Sequence, residues 1–258
     1  MDATAAQLLL AALSGGIVAL LLTVFGGGGS VLAVPLLLYV VGVCDPHMAI
    51  GVSAAGVALN ALTALAGQAR AGRVRWPCAL VFAAAGSAGA FAGSSVAKAI
   101  DGQALLIVFA FAMGLVALAM LRPGAPLGAE DVRLDRAMVP RIVASGVGVG
   151  AAAGFFGIGG GFLIVPGLMG ASGMTLALAQ ASSLVSVAAF GATTAANYAL
   201  SGLIDGPIVA AMAAGGVAGT LAGLPIARRL GRRAVLGRRL FAGLILIVAV
   251  YVGARALT

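Results

Sequence analysis

"FGGGGSVLAVP", residues 25–35, sets four glycines between two apolar runs, and "FGIGGGFLIVP", residues 156–166, repeats the arrangement. Glycine carries the highest backbone-entropy cost of any residue in a helix, so a chain that places such clusters twice in apolar surroundings is breaking its helices deliberately. How it breaks them depends on the solvent around the chain.

That solvent is lipid. The 258 residues are 62% hydrophobic and 9% charged, with a mean hydropathy of +1.17, far beyond soluble domains. No charged residue falls between Arg141 and Asp205, a segment that no water-facing surface accommodates. Crossing the hydrocarbon takes about 20 apolar residues as a helix. Runs of this kind occupy 5–24, 48–69, 76–97, 104–121, 137–153, 175–200, 207–227 and 236–252. Two shorter runs, 31–43 and 162–170, follow the glycine clusters. These runs are continuously apolar, whereas a membrane β-barrel alternates, so the chain reads as an all-α integral membrane protein. The start, Met1-Asp2, lacks a basic stretch, and the first run reads as a retained helix rather than a leader. Cys44 and Cys78 form no disulfide or metal spacing, and no cofactor or metal is expected.

Shifting the chain by 131 residues lays Phe25, Gly26, Gly28, Gly29, Leu32, Val34 and Pro35 on Phe156, Gly157, Gly159, Gly160, Leu163, Val165 and Pro166. A shift of 130 then pairs Ser53 with Ser183, Thr63 with Thr193, Gly86 with Gly216 and Gly93 with Gly223. Order and spacing persist across some seventy residues, which makes this an internal duplication: a first repeat over 1–121, a linker over 122–136 ("RPGAPLGAEDVRLDR") and a second repeat over 137–258, each of about five helical segments.

Lys and Arg accumulate on the cytoplasmic side. An odd number of crossings per half gathers thirteen of the fifteen basic residues on one face, leaving Lys98 and Arg255 opposite; an even number splits them eight against seven. The repeats are therefore expected to be inverted, with both termini periplasmic. The arginines act as topology signals, and nucleic acid is not an expected partner. Other glycines, Gly146, Gly150 and Gly154 with Gly89, Gly93, Gly219 and Gly223, read as small-residue packing positions.

Irregular backbone at membrane depth is tolerated only where protein buries it or a cavity wets it. A helix starting there, near Ser30 or Gly161, leaves its first amide hydrogens unpaired and favours an anion. Transporters of inverted repeats use such broken helices near the midplane. The candidate substrate-binding residues are Gly26, Gly27, Gly28, Gly29 and Ser30, then Gly157, Gly159, Gly160 and Gly161. Hydroxyl and amide groups that follow add Ser53, Asn60, Gln180, Ser182, Ser183 and Thr193. No charged residue stands mid-helix as a coupling group, and His47 in "CDPH" reads as interfacial.

With these motifs assembled, the chain resembles the sulfite exporter TauE/SafE family. The likeness rests on "GGGGSVLAVPLLLYVVGV", "AIGVSAAGVALNALTALAGQARAGRVRW" and "GFFGIGGGFLIVPGLM". It implies a secondary transporter that moves sulfite, sulfonates or related organosulfur or carboxylate anions across the bacterial cytoplasmic membrane. The family's usual Thr-Ser pair opening the third helix reads Val52-Ser53 and Ser182-Ser183 here. The expected partners are a small anion and the lipid bilayer, with room for a coupling proton or cation and for a homo-oligomer. A passive anion channel using the same constriction is the rival reading. An enzyme is not expected: "GASG", 170–173, has the look of an intramembrane-protease serine element, but the chain's one histidine, His47, falls across the membrane from it.

Overall fold

The computed structural model describes residues 4–121, 128–129, 132, 134–157, 161–230 and 234–257. Among these the chain is helical apart from short turns and one isolated bridge between Ala129 and Met174. The first half contains α1 (Ala5–Phe25), a composite α2, α3 (Pro46–Arg70), α4 (Trp76–Lys98) and α5 (Gly102–Leu121). The second contains α6 (Val139–Phe156), α7 (Gly161–Ser172), α8 (Leu176–Ala199), α9 (Gly206–Leu230) and α10 (Ala234–Leu257). Six described helices are long and apolar enough to cross a membrane: α1, α3, α4, α6, α8 and Gly206–Ala227 of α9. Apolar segments of α5 and α10 add Gly102–Leu115 and Ile245–Arg255.

The expected helix breaks are present. α1 stops at Gly26, whose φ of 68° reverses the chain, a conformation costly for residues with a Cβ. The new helix begins at once rather than near Ser30: α2 winds as a 3-10 turn over Gly26–Leu32, an α-turn over Ala33–Leu36 and a wider π-turn over Leu37–Val41. Pro35 removes one ladder hydrogen bond just before the widening. In the second half Gly157, at φ 64°, caps α6, and α7 opens at Gly161. Asp45 caps α3 by accepting from the His47 amide at 2.9 Å, and Asp101 and Asp205 cap α5 and α9 in the same manner.

Small residues set the packing. A Cβ on Gly215 would strike Ala12, one on Gly219 would strike Gly16, and one on Gly223 would lie 2.9 Å from the Thr23 side chain. α1 and α9 therefore run in the same direction with their backbones in near contact. Gly146, Gly150 and Gly154 step along Phe82, Gly86 and Ala90 in the same way, so α6 runs with α4. α3 follows α9 through Gly56 on Met212, Asn60 on Gly216 and Thr63 beside Thr220, while α8 follows α4 through the stacked rings of Phe190 and Phe82 and the Asn197–Ser94 bond. Two sets of three parallel helices result, α1/α3/α9 and α4/α6/α8. They meet along α3 and α8, which run oppositely: Gly51 lies against Tyr198, and Gly191 against Ala54 and Ala58. α5 and α10 pack together beside them. Exchanging the first five helices for the last five, in order, maps α1–α9 onto α6–α4 and α3–α9 onto α8–α4, and returns α3–α8 and α5–α10 to themselves.

Candidate functional site

The polar residues of this apolar chain cluster on α3 and α8. Ser53, Asn60, Ser182, Ser183, Ser186, Thr194 and Asn197 are all buried, as is Ser30 in α2. In such an interior a hydroxyl needs a partner, and the partners separate the candidate residues into groups.

Ser53 donates from Oγ to the carbonyl of Gly157 at 2.8 Å. That carbonyl belongs to the C-terminal turn of α6, where helix carbonyls lack internal partners, and the bond ties the second glycine turn to the first half's third helix. Gly157 also sits on Ile50, leaving no room for a Cβ. The first turn makes the corresponding contact: a Cβ on Gly26 would lie 2.9 Å from Gln180 Cβ. Gln180 stands 130 residues after Ile50, and Gly157 stands 131 after Gly26. Each glycine turn is thus seated on the opening turns of the other half's third helix. The Gly26–Leu32 segment, which includes Gly27, Gly28, Gly29 and the buried Ser30, packs on both α7 and α8.

The other candidates make different bonds. Ser182 accepts from the backbone amide of Arg75 at 2.9 Å, pinning the α3–α4 turn. Thr193 bonds back to its own helix at Ala189, a local pattern. Ser183 Oγ donates to the carbonyl of Gln180 at 2.8 Å. Asn60 donates to the carbonyl of Gly15 at 3.3 Å and fits against Gly216, between α1 and α9. Gly161 is the first residue of α7, while Gly159 and Gly160 lie outside the described residues. Because α3 and α8 are antiparallel, Ile50 and Gln180 stand about 25 Å apart at 1.5 Å per residue, and the two glycine turns lie toward opposite ends of the pair.

Ser186, Thr194 and Tyr198 each carry a buried hydroxyl without a partner among the described residues, the kind of group that a water or a ligand completes. A cleft of about 540 Å³ on the outer flank of the α3–α8 contact is lined by Ala58, Leu59, Leu62, Ala188 and Ala192 among others. With Leu59 and Leu62 exposed, this apolar wall suits lipid rather than an anion. One polar cluster has no counterpart in the sequence reading: Lys98 at the end of α4 bonds to Asn197 and Ser201. Its sequence signal is a cation closing an apolar helix on a face that holds, besides Arg255, mainly aspartates.

Both glycine turns and the segments around them fall within the match of one family model, sulfite exporter TauE/SafE, over residues 11–252. The chain belongs to the sulfite exporter TauE/SafE family. It is 45% identical over 224 residues, 86% of each chain, to proteins from two strains of Xylella fastidiosa, 9a5c and Temecula1 / ATCC 700964, each named a probable membrane transporter protein. No solved structure matches it significantly. As a TauE/SafE member with six described helices of membrane-crossing length, the chain is a multi-pass membrane transporter.

Proposed function

We propose that this TauE/SafE member is a secondary transporter of small oxyanions such as sulfite or organosulfonates, built of two inverted repeats over 1–121 and 137–258 and set in a bacterial inner membrane with both termini periplasmic. The opposed directions of α3 and α8 support the inversion. The observation that carries the function is the crossed seating of the two glycine turns, with Gly26 on Gln180, Gly157 on Ile50 and the Ser53–Gly157 bond. A break held by the opposite half changes its surroundings whenever the halves' third helices shift, which is what alternating access requires.

On this reading the turns serve as two ends of one path rather than a single pocket at the midplane. The glycine backbones of 26–29 and 157–161 offer amide hydrogens without side-chain obstruction. Ser30, Ser53 and Ser183 add hydroxyls, and Thr194 offers one without a partner. Neutral donors in a dry setting bind an anion strongly without a fixed countercharge.

Uptake of labelled sulfite into proteoliposomes, competed by sulfonate, sulfate and lactate, tests the proposal. Saturable uptake that Gly28→Val abolishes in a normally folded protein is the expected result. Absence of uptake for every anion refutes it, and unsaturable flux with single-channel current replaces the transporter with a channel.

A further inference from the structure

The chain contains one lysine, Lys98, and it closes α4. Its ammonium donates to the Asn197 carbonyl at 3.0 Å, to Asn197 Oδ1 at 2.9 Å and to Ser201 Oγ at 2.9 Å, and Nζ stands 5.8 Å from the centre of the Tyr198 ring. Every one of these partners is neutral.

Carboxylates are at hand but committed. Asp45, Asp101 and Asp205 cluster at this end of the bundle, where Gly102 meets Pro46 and Gly51 meets Leu203. Asp45 caps α3 through the His47 amide, Asp101 caps α5 through the Gln103 and Ala104 amides, and Asp205 caps α9 through the Ile208 amide. Among the described residues Lys98 has no carboxylate partner, and its charge is offset by the C-terminal dipoles of α4 and α8 and by the Tyr198 ring. A half-buried ammonium so placed gains when a neutral oxygen is exchanged for an anionic one. The neighbouring donors fit the same ligand. Asn197 Nδ2 now contacts the Phe91 carbonyl at 3.4 Å, Ser94 Oγ at 2.7 Å and Ser95 Oγ at 3.0 Å, while Oδ1 faces Lys98. The amide therefore reaches the anion by turning over, and Ser201 has a hydroxyl to turn.

We propose that Lys98, Ser201 and the Asn197 amide form a second oxyanion station, at the end of the bundle away from the arginine-rich loops, in which the anion displaces the neutral oxygens now on the ammonium. The assignment rests on reading the chain as an anion transporter, and it adds a cation-assisted site at one mouth of the path.

The single ε-amine makes the test direct. The full chain in proteoliposomes is acylated with a membrane-impermeant amine reagent, and mass spectrometry follows Lys98 relative to the N-terminal amine while methanesulfonate replaces chloride at constant ionic strength. Lys98 acylation is expected to slow about fivefold once the sulfonate stands at about four times its dissociation constant. Equal rates in methanesulfonate and chloride overturn the station. Sulfite flux in the same vesicles separates the two readings: flux without protection sinks the station alone, and protection without flux sinks the transporter reading alone. A second arm guards against a merely structural role. Lys98→Gln is expected to raise KM about tenfold, the loss of one charged hydrogen bond, with kcat within about twofold, and Lys98→Arg to restore KM. A fall in kcat and thermal stability at unchanged KM refutes the assignment.

Discussion

Replacing Ser53 with alanine removes one hydrogen bond and almost no volume, so it isolates the tie between the second glycine turn and α3. The bond is short at 2.8 Å and the hydroxyl is buried. Without it the Gly157 carbonyl loses its donor in a setting with no bulk water. Such a loss costs about 1–2 kcal/mol, near the upper end of what interhelical hydrogen bonds contribute in membranes. If that energy holds the turn in its working pose, the ratio of seated to displaced turns drops by a factor of about 5–30, and kcat/KM for anion uptake should fall by up to that factor. Thr193→Ala is the matched control, since Thr193 bonds only to its own helix at Ala189 and should stay within about twofold. Uptake kinetics in proteoliposomes, with detergent melting curves to exclude gross unfolding, decide the matter. Equal uptake by Ser53→Ala and wild type, or an equal loss in both variants, would refute the claim that this bond positions the turn.

Three further outcomes follow from the packing. Gly150→Ala places a methyl on the Gly86 backbone and should lower the melting temperature and folded yield, whereas Gly148→Ala, with nothing within 4 Å, should not; differential scanning fluorimetry compares them. Gly216→Ala meets the Asn60 side chain, so Asn60→Ala should recover at least half of its stability loss in the double variant, read as a mutant cycle. Cys44 is exposed and Cys78 buried, so a maleimide should modify Cys44 in the folded protein and Cys78 only after denaturation.

Much of the architecture was legible because lipid imposes few solutions. Run lengths located the long helices to within a few residues, and the glycine clusters marked the reversals at Gly26 and Gly157. Charge asymmetry implied opposed halves, which is the inverted arrangement proposed above. The candidate site was only half legible. Sequence spacing brought Ser53 and Ser183 forward as equivalents, but it could not tell that Ser182 is consumed by the Arg75 amide or that Asn60 turns toward Gly216. Those outcomes depend on which neighbour faces each side of α3 and α8, which composition does not encode. The depth of the glycine turns escaped for a related reason: a run of 13 apolar residues suggests a short helix, but α1 is unbroken over the 21 residues Ala5–Phe25, and a helix of that length carries the first break to the far end of the bundle. Lys98 escaped because a terminal lysine usually snorkels to water, and only the positions of Asn197 and Ser201 reveal its company.

The seams of closest approach carry a mechanical consequence. α1 is locked to α9 and α4 to α6 by glycines that leave no clearance, so each tight seam stitches a helix of the chain's first half to a helix of its second. A rocking motion that split the molecule at its sequence boundary would have to tear both. Any rigid unit that moves as a whole must therefore draw its helices from both halves of the chain.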